Sequence, residues 1–187
     1  MLKYKVFNIS NVTYSGEETV LSPYFFDRIK SYSNDWQKKQ SYYSYVLLKS
    51  ILYELNIDFD SLKIATNKDG KPEIESFNKP LFFNISHSKN LVCAAVSDSP
   101  IGVDIQVLTD KNIKIANRYF STEDLKTLNK STQKSKTFTR LWTIFESRLK
   151  LFGSIKAFKK NEQKIYTSTK KLLDSGCNIY YLAVSHF

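Results

Sequence analysis

The chain has 187 residues, of which 28 are basic and 18 acidic, for a net charge of +10. Hydrophobic residues make up 42% and aromatic residues 14%, with only five Gly and four Pro, which excludes a disordered or fibrous protein and leaves one large domain or two small ones. No apolar run reaches membrane-spanning length, the N-terminus lacks a signal-peptide core and two cysteines build no disulfide framework, so a soluble cytoplasmic protein is expected, with no membrane partner.

Taken in order, residues 3–9 alternate and predict an opening strand, and Asn11 to Glu18 reads as a loop. Ser22-Pro23 predicts the start of a short helix, with Ser22 as N-cap and Pro23 in the first turn, running to about Tyr32. Asn34 or Asp35 caps a longer helix from Trp36 to about Leu55, whose buried face is expected at Tyr43, Val46, Leu47, Ile51, Leu52 and Leu55. Leu62 to Ala65 is a short strand, and Asn67-Lys68-Asp69-Gly70 is turn chemistry that Lys71-Pro72 leaves. Leu81 to Ile85 and Leu91 to Ser97 are β-rich runs on either side of a Ser86-His87-Ser88-Lys89-Asn90 loop.

Ile101 to Leu108 is the clearest strand. Ile101, Val103, Ile105 and Val107 point one way; Gly102, Asp104 and Gln106 point the other. Ser121-Thr122-Glu123-Asp124 is a capping-box pattern that opens another helix. In the next helix Phe138, Leu141, Trp142, Phe145, Leu149 and Phe152 recur at helical spacing, and Gly153 stands where a left-handed cap is expected. Residues 154–176 are polar and Lys-rich and predict no clear element, and Ile179 to Val184 is a closing strand. Ala94-Ala95-Val96-Ser97 is echoed by Leu182-Ala183-Val184-Ser185, a short repeat compatible with two halves of similar build.

Several residues invite chemistry, and each has a bland reading beside the functional one. The lysines are scattered singly and in pairs, so the charge reads first as solvated surface; an acidic protein, an anionic small molecule or nucleic acid are the partners it could otherwise serve. No Cys/His cluster has zinc spacing. Glu146 and Lys150, four apart on a helix, are either a surface ion pair or groups that serve a phosphate and its metal ion. Asp104 is either a strand-edge carboxylate facing water or a metal ligand, with Gln106 offering a neutral oxygen on the same side. His87, between Ser86 and Ser88, is either plainly exposed or placed for an anion, as is Lys71 after its tight turn.

Together, Asn84-Ile85-Ser86-His87-Ser88, Gly102-Val103-Asp104-Ile105-Gln106 and Trp142 to Lys150 resemble the ordered motifs of the 4′-phosphopantetheinyl transferases, of the large monomeric type that activates surfactin synthetase and other carrier-bearing synthetases. Gly70-Lys71-Pro72 and Arg118-Tyr119-Phe120-Ser121-Thr122-Glu123 resemble the family's connecting segments, so the likeness runs from about Ser22 to Gly153. The resemblance implies an α+β fold of two pseudo-twofold-related halves, 1–99 and 100–187, each a small, mostly antiparallel sheet packed with helices. It implies transfer of 4′-phosphopantetheine from coenzyme A to a serine of an acidic acyl or peptidyl carrier protein, by a monomer that needs Mg²⁺ and no nucleic acid. The metal ligands carried over are Asp104, Gln106 and Glu146. Glu146 would take the serine proton, Lys150 would stabilise phosphate charge, and His87, Ser86, Lys71 and Arg28 would hold coenzyme A.

Three departures reduce the charge of the expected site. Gln106 stands where the family often has a second acid, Phe145 where it usually has Lys, and Gln40 where it commonly has an Arg that meets coenzyme A; Lys38 or Lys39 is a candidate replacement for the last. A degenerate relative that binds coenzyme A or a partner without transfer is therefore the alternative expectation.

Overall fold

A computed structural model of the chain describes residues 1–15, 22–68, 70–110, 113–159 and 163–187. Part of the loop expected at 11–18, and Asp69 of the expected turn, lie outside the described residues. In chain order the elements are β1 (Leu2–Asn8), α1 (Pro23–Lys30), α2 (Asp35–Glu54), β2 (Lys63–Thr66), β3 (Pro72–Ser76), β4 (Phe82–Ser88), β5 (Leu91–Ser97), β6 (Ile101–Val107), α3 (Ala116–Tyr119), α4 (Thr122–Lys130), α5 (Lys134–Phe152), α6 (Ile155–Lys159), β7 (Tyr166–Leu173) and β8 (Ile179–His186). This is the mixed α+β architecture of small antiparallel sheets and helices that the resemblance implies.

The two larger sheets are built alike, in the orders β1-β5-β4 and β6-β8-β7, and β2 and β3 form a separate two-stranded ribbon. The sequence echo marks their middles: β5 carries Ala94 to Ser97, β8 carries Leu182 to Ser185, and each is the central, almost wholly buried strand of its sheet. Such strands carry mostly apolar side chains because both faces are covered.

Helix α2 packs on the first sheet. Asn34 caps it, its side chain accepting from the amides of Trp36 and Gln37. The buried face differs from the expected one: Ile51 and Leu52 are on it, but its remaining members are Gln40, Ser41, Ser44, Tyr45 and Leu48. Two serines on this face let the helix lie close to the sheet, which turns Tyr43, Val46, Leu47 and Leu55 to its flanks. In α1, Ser22 stands at the N-cap with extended backbone, yet its hydroxyl makes no cap bond, and Pro23 opens the helix. In α4, by contrast, Ser121 accepts from the Asp124 amide as its capping pattern predicts.

Helix α5 covers the second sheet and is buried on two sides. Phe138, Leu141 and Phe145 lie on the aromatic stripe, where Trp142 meets Tyr119, Phe120, Phe138 and Phe145. Thr139, Thr143 and Ser147 form a second buried line, and Ser147 meets Ser185 of β8 at 2.8 Å. Gly102 of β6 lies directly under this line. A Cβ there would stand 1.9 Å from the Ser147 carbonyl oxygen and 2.6 Å from the Leu151 amide nitrogen, so only glycine lets helix and strand come this close. Gly153 ends α5 at φ 77°, the left-handed cap expected there.

The two sheets meet along β4 and β6, but not through backbone pairing. Three alternate side chains of β4 accept from β6 amides: Asn84 from Val103 at 3.0 Å, Ser86 from Ile105 at 3.2 Å and Ser88 from Val107 at 2.9 Å. Two turns fasten the far end of the seam. Asn90 donates to Asp174 at 3.1 Å, and Lys89 donates to Asn178 at 2.6 Å.

Two expectations are corrected here. His87 does not sit in a loop, because β4 continues through Ser88 and only Lys89 and Asn90 turn the chain, with Lys89 at φ 49°. Residues 154–176 hold α6 and the edge strand β7. Its Thr and Lys side chains point largely to solvent, which hides the period-two signal and blunts an exposed edge.

Candidate active site

A cleft of about 450 Å³ opens over the β4–β6 seam. Arg28 of α1, Tyr45 of α2, Lys71 of the β2–β3 turn, Asp104 and Gln106 of β6, and Glu146 and Lys150 of α5 line it. Ser86 and His87 of β4 line it as well. All eight candidate residues therefore face one cleft: Arg28, Lys71, Ser86, His87, Asp104, Gln106, Glu146 and Lys150.

The local folding explains the convergence. Strand periodicity puts Asp104 and Gln106 on one face of β6, and helical periodicity puts Glu146 and Lys150 one turn apart on α5. The close approach at Gly102 brings those two faces together. Lys71 is aimed by its turn: Asn67 accepts from the Lys71 amide at 3.0 Å, Gly70 takes φ 83°, and Lys71 Nζ donates to the Lys150 carbonyl at 3.0 Å.

Asp104 decides between its two readings. It is 1% exposed, so it does not face water. Its Oδ1 accepts from Lys150 Nζ at 2.7 Å and from Ser86 Oγ at 2.8 Å. Lys150 thus pairs with Asp104 rather than with Glu146 on its own helix. The other oxygen, Oδ2, is buried with no hydrogen-bond partner. A buried carboxylate oxygen left bare is costly, and a cation is the ordinary remedy.

Glu146 adds to that argument. Burial, and then the nearby charge of Asp104, hold its carboxyl above the usual carboxylate range, with Lys150 opposing. A buried carboxylate beside a second whose ionisation it opposes fits a divalent ion between them. Among the described residues no group of three or more His, Cys, Asp and Glu side chains gathers for a metal, so an ion here would rest on Asp104, Glu146 and the amide oxygen of Gln106.

The remaining groups suit an anion. Burial lowers the Lys71 ammonium's affinity for its proton. Desolvation lowers the proton affinity of the exposed His87, and the Lys150 charge lowers it further while the Asp104 charge opposes. In its neutral form the imidazole can both donate and accept.

Of the three departures, two are accounted for. Gln40 is buried away from the cleft, where its Nε2 donates to the Lys89 carbonyl at 2.9 Å and holds the β4–β5 turn. Phe145 packs against Tyr119, Trp142 and Phe158, as its place on the stripe requires. Lys38 pairs with Asp35 and Lys39 lies over Trp36, so neither replaces a cation in the cleft. The sequence pattern carried no sign of Tyr45, a buried α2 residue on the cleft wall whose hydroxyl burial pushes up to about 12. Only the helix's true buried face would have pointed to it.

Residues 100–171 match the family model described as the 4′-phosphopantetheinyl transferase superfamily. The chain is 34% identical over 110 residues to the 4′-phosphopantetheinyl transferase gsp of Aneurinibacillus migulanus, covering 58% of this chain and 45% of that one. It is 32% identical to psf-1 of Bacillus pumilus and 32% identical to Sfp of Bacillus subtilis strain 168, both named 4′-phosphopantetheinyl transferases; each alignment covers 58% of this chain, and 47% and 49% of theirs. The chain thus spans about half the length of the curated relatives it matches.

Proposed function

We propose that this chain, whose residues 100–171 match the 4′-phosphopantetheinyl transferase superfamily, is a member of that family and transfers 4′-phosphopantetheine from coenzyme A to a serine of an acidic acyl or peptidyl carrier protein. The observation that carries the reading is the bare, buried Oδ2 of Asp104 beside a proton-avid Glu146, in a cleft walled by cations. We take 1–99 and 100–187 as the two halves of the enzyme, meeting at the β4–β6 seam, and the acting species as a cytoplasmic monomer.

In this reading Lys71, His87, Lys150 and Arg28 bind the phosphates of coenzyme A. These residues line the cleft, and burial lowers the proton affinity of Lys71 while the Glu73 charge opposes that. Asp104, Glu146 and Gln106 would hold Mg²⁺, which when bound neutralises pyrophosphate charge. Glu146 accepts the proton of the carrier serine through a water, a task its raised proton affinity favours. The serine oxygen then bonds to the phosphorus that bears pantetheine. The phosphoanhydride bond breaks, and 3′,5′-ADP leaves with the electron pair while Lys150 offsets the charge that develops.

Incubation with coenzyme A, Mg²⁺ and an apo carrier domain is expected to add the mass of one phosphopantetheine to that domain. Absence of that gain with every carrier domain of the source organism contradicts the reading.

Gln106 and the Asp104–Lys150 pair favour one second reading, binding without transfer. The pair satisfies one carboxylate oxygen internally at 2.7 Å, and Gln106 brings no charge. Coenzyme A binding that is indifferent to Mg²⁺, with no turnover, would select it.

A further inference from the structure

We infer that Ser86 is a positioning residue, which fixes Asp104 so that a single carboxylate oxygen is presented for a cation, and which does not itself contact coenzyme A. The inference rests on the transfer reading above. A serine hydroxyl has one proton to donate and two lone pairs. Ser86 commits all three within the protein. It donates to Asp104 Oδ1 at 2.8 Å and accepts from the Ile105 amide at 3.2 Å and from Lys150 Nζ at 2.9 Å. The residue is 5% exposed, and no bonding capacity remains for a phosphate oxygen.

The consequence falls on Asp104. Its Oδ1 is occupied twice, by Ser86 and by Lys150 at 2.7 Å, while Oδ2 is buried without a partner. The carboxylate is therefore held in one orientation and offers one oxygen. Ser86 is held in turn by its strand. Asn84 and Ser88, two residues to either side, bond the Val103 and Val107 amides, so the ladder fixes the register of β4 against β6. The middle rung is the one that also bonds a carboxylate and an ammonium. A support of this kind, outside the ligand set, orients the group that ligates.

The test compares Ser86→Ala, which loses the three bonds, and Ser86→Cys, which leaves only a weak donor and acceptor, with Ser86→Thr, which keeps a hydroxyl. The cysteine variant is nearly isosteric and serves if the alanine variant does not fold. Three quantities are measured on the full chain: coenzyme A binding by calorimetry without metal, Mn²⁺ binding in the presence of coenzyme A by electron paramagnetic resonance, and kcat and KM for transfer. The alanine and cysteine variants are expected to bind metal-free coenzyme A as the wild type does, and to weaken Mn²⁺ binding by about tenfold or more. Their kcat falls while KM for coenzyme A holds, and threonine restores both metal binding and kcat.

Weakened metal-free binding of coenzyme A would make Ser86 a contact residue, and unchanged Mn²⁺ binding would remove its positioning role. Either result overturns the inference, as does a wild type that binds no Mn²⁺. If the wild type binds Mn²⁺ and coenzyme A but transfers nothing, the transfer reading fails, and the Mn²⁺ comparison still decides the role of Ser86.

Discussion

Asp104 is a carboxylate whose side chain is 2% exposed, paired with a lysine whose side chain is 29% exposed. Burying such a pair is seldom stabilising in itself, because desolvation offsets the Coulomb attraction. Glu146 makes the local balance worse, since burial and the Asp104 charge both oppose its ionisation. The site is therefore organised for a ligand at the expense of the free protein. The sign of the pH effect follows. A carboxyl raised in the folded state binds its proton more tightly there than in the unfolded chain. Its contribution is favourable at low pH and is lost as pH rises from the ordinary carboxylate range through the raised value. Glu146→Gln removes that loss. Without ligands at pH 7 the variant is expected to melt higher than the wild type, by roughly 1–2 °C after allowing for solvent screening of a partly exposed group. A calorimetric scan that shows a lower melting temperature contradicts this reading of the Glu146–Asp104 repulsion.

At the scale of elements, the site depends on how closely α5 approaches β6. Gly102 permits it, and any Cβ there would meet the α5 backbone rather than a side chain that can swing away. Gly102→Ala is therefore expected to cost about 3 kcal/mol in denaturant unfolding, the upper end of overpacking losses, and to lower transfer activity by displacing Glu146 and Lys150 together. An alanine variant with wild-type stability would mean that the helix is free to shift. This scale also shows what could be read in advance. The Gly-Val-Asp strand, the α5 stripe and both echoed central strands were legible because period and burial agree there. The β4–β6 seam was not, because it runs through side chains that accept from a neighbouring strand, and no periodicity encodes a partner. Nor was the face of α2, where Ser41 and Ser44 are buried for closeness while the larger Val46 and Leu47 lie at the flanks. Strand β7 was hidden by its own Lys and Thr residues.

For the whole molecule, the net charge of +10 becomes informative once the cleft is known to gather cations. An acidic carrier would be steered toward it from a distance, and that steering is screened over about 10 Å at 0.1 M salt. The association rate with a carrier domain, followed by stopped-flow fluorescence, is expected to fall about tenfold between low and high salt. A rate that ignores salt would assign the lysines to plain solvated surface. Among the described residues no helix is long and apolar enough to cross a membrane.

The central claim is that one carboxylate from a buried strand and one from a helix act together on a single phosphoryl transfer. Intact-mass spectrometry of an apo carrier domain, taken over time with coenzyme A and Mg²⁺, tests it most directly with the wild type, Asp104→Ala and Glu146→Ala in parallel. The wild type is expected to add one phosphopantetheine to the carrier, and each variant to do so at least about 100-fold more slowly. Variants that modify the carrier as fast as the wild type would contradict the account.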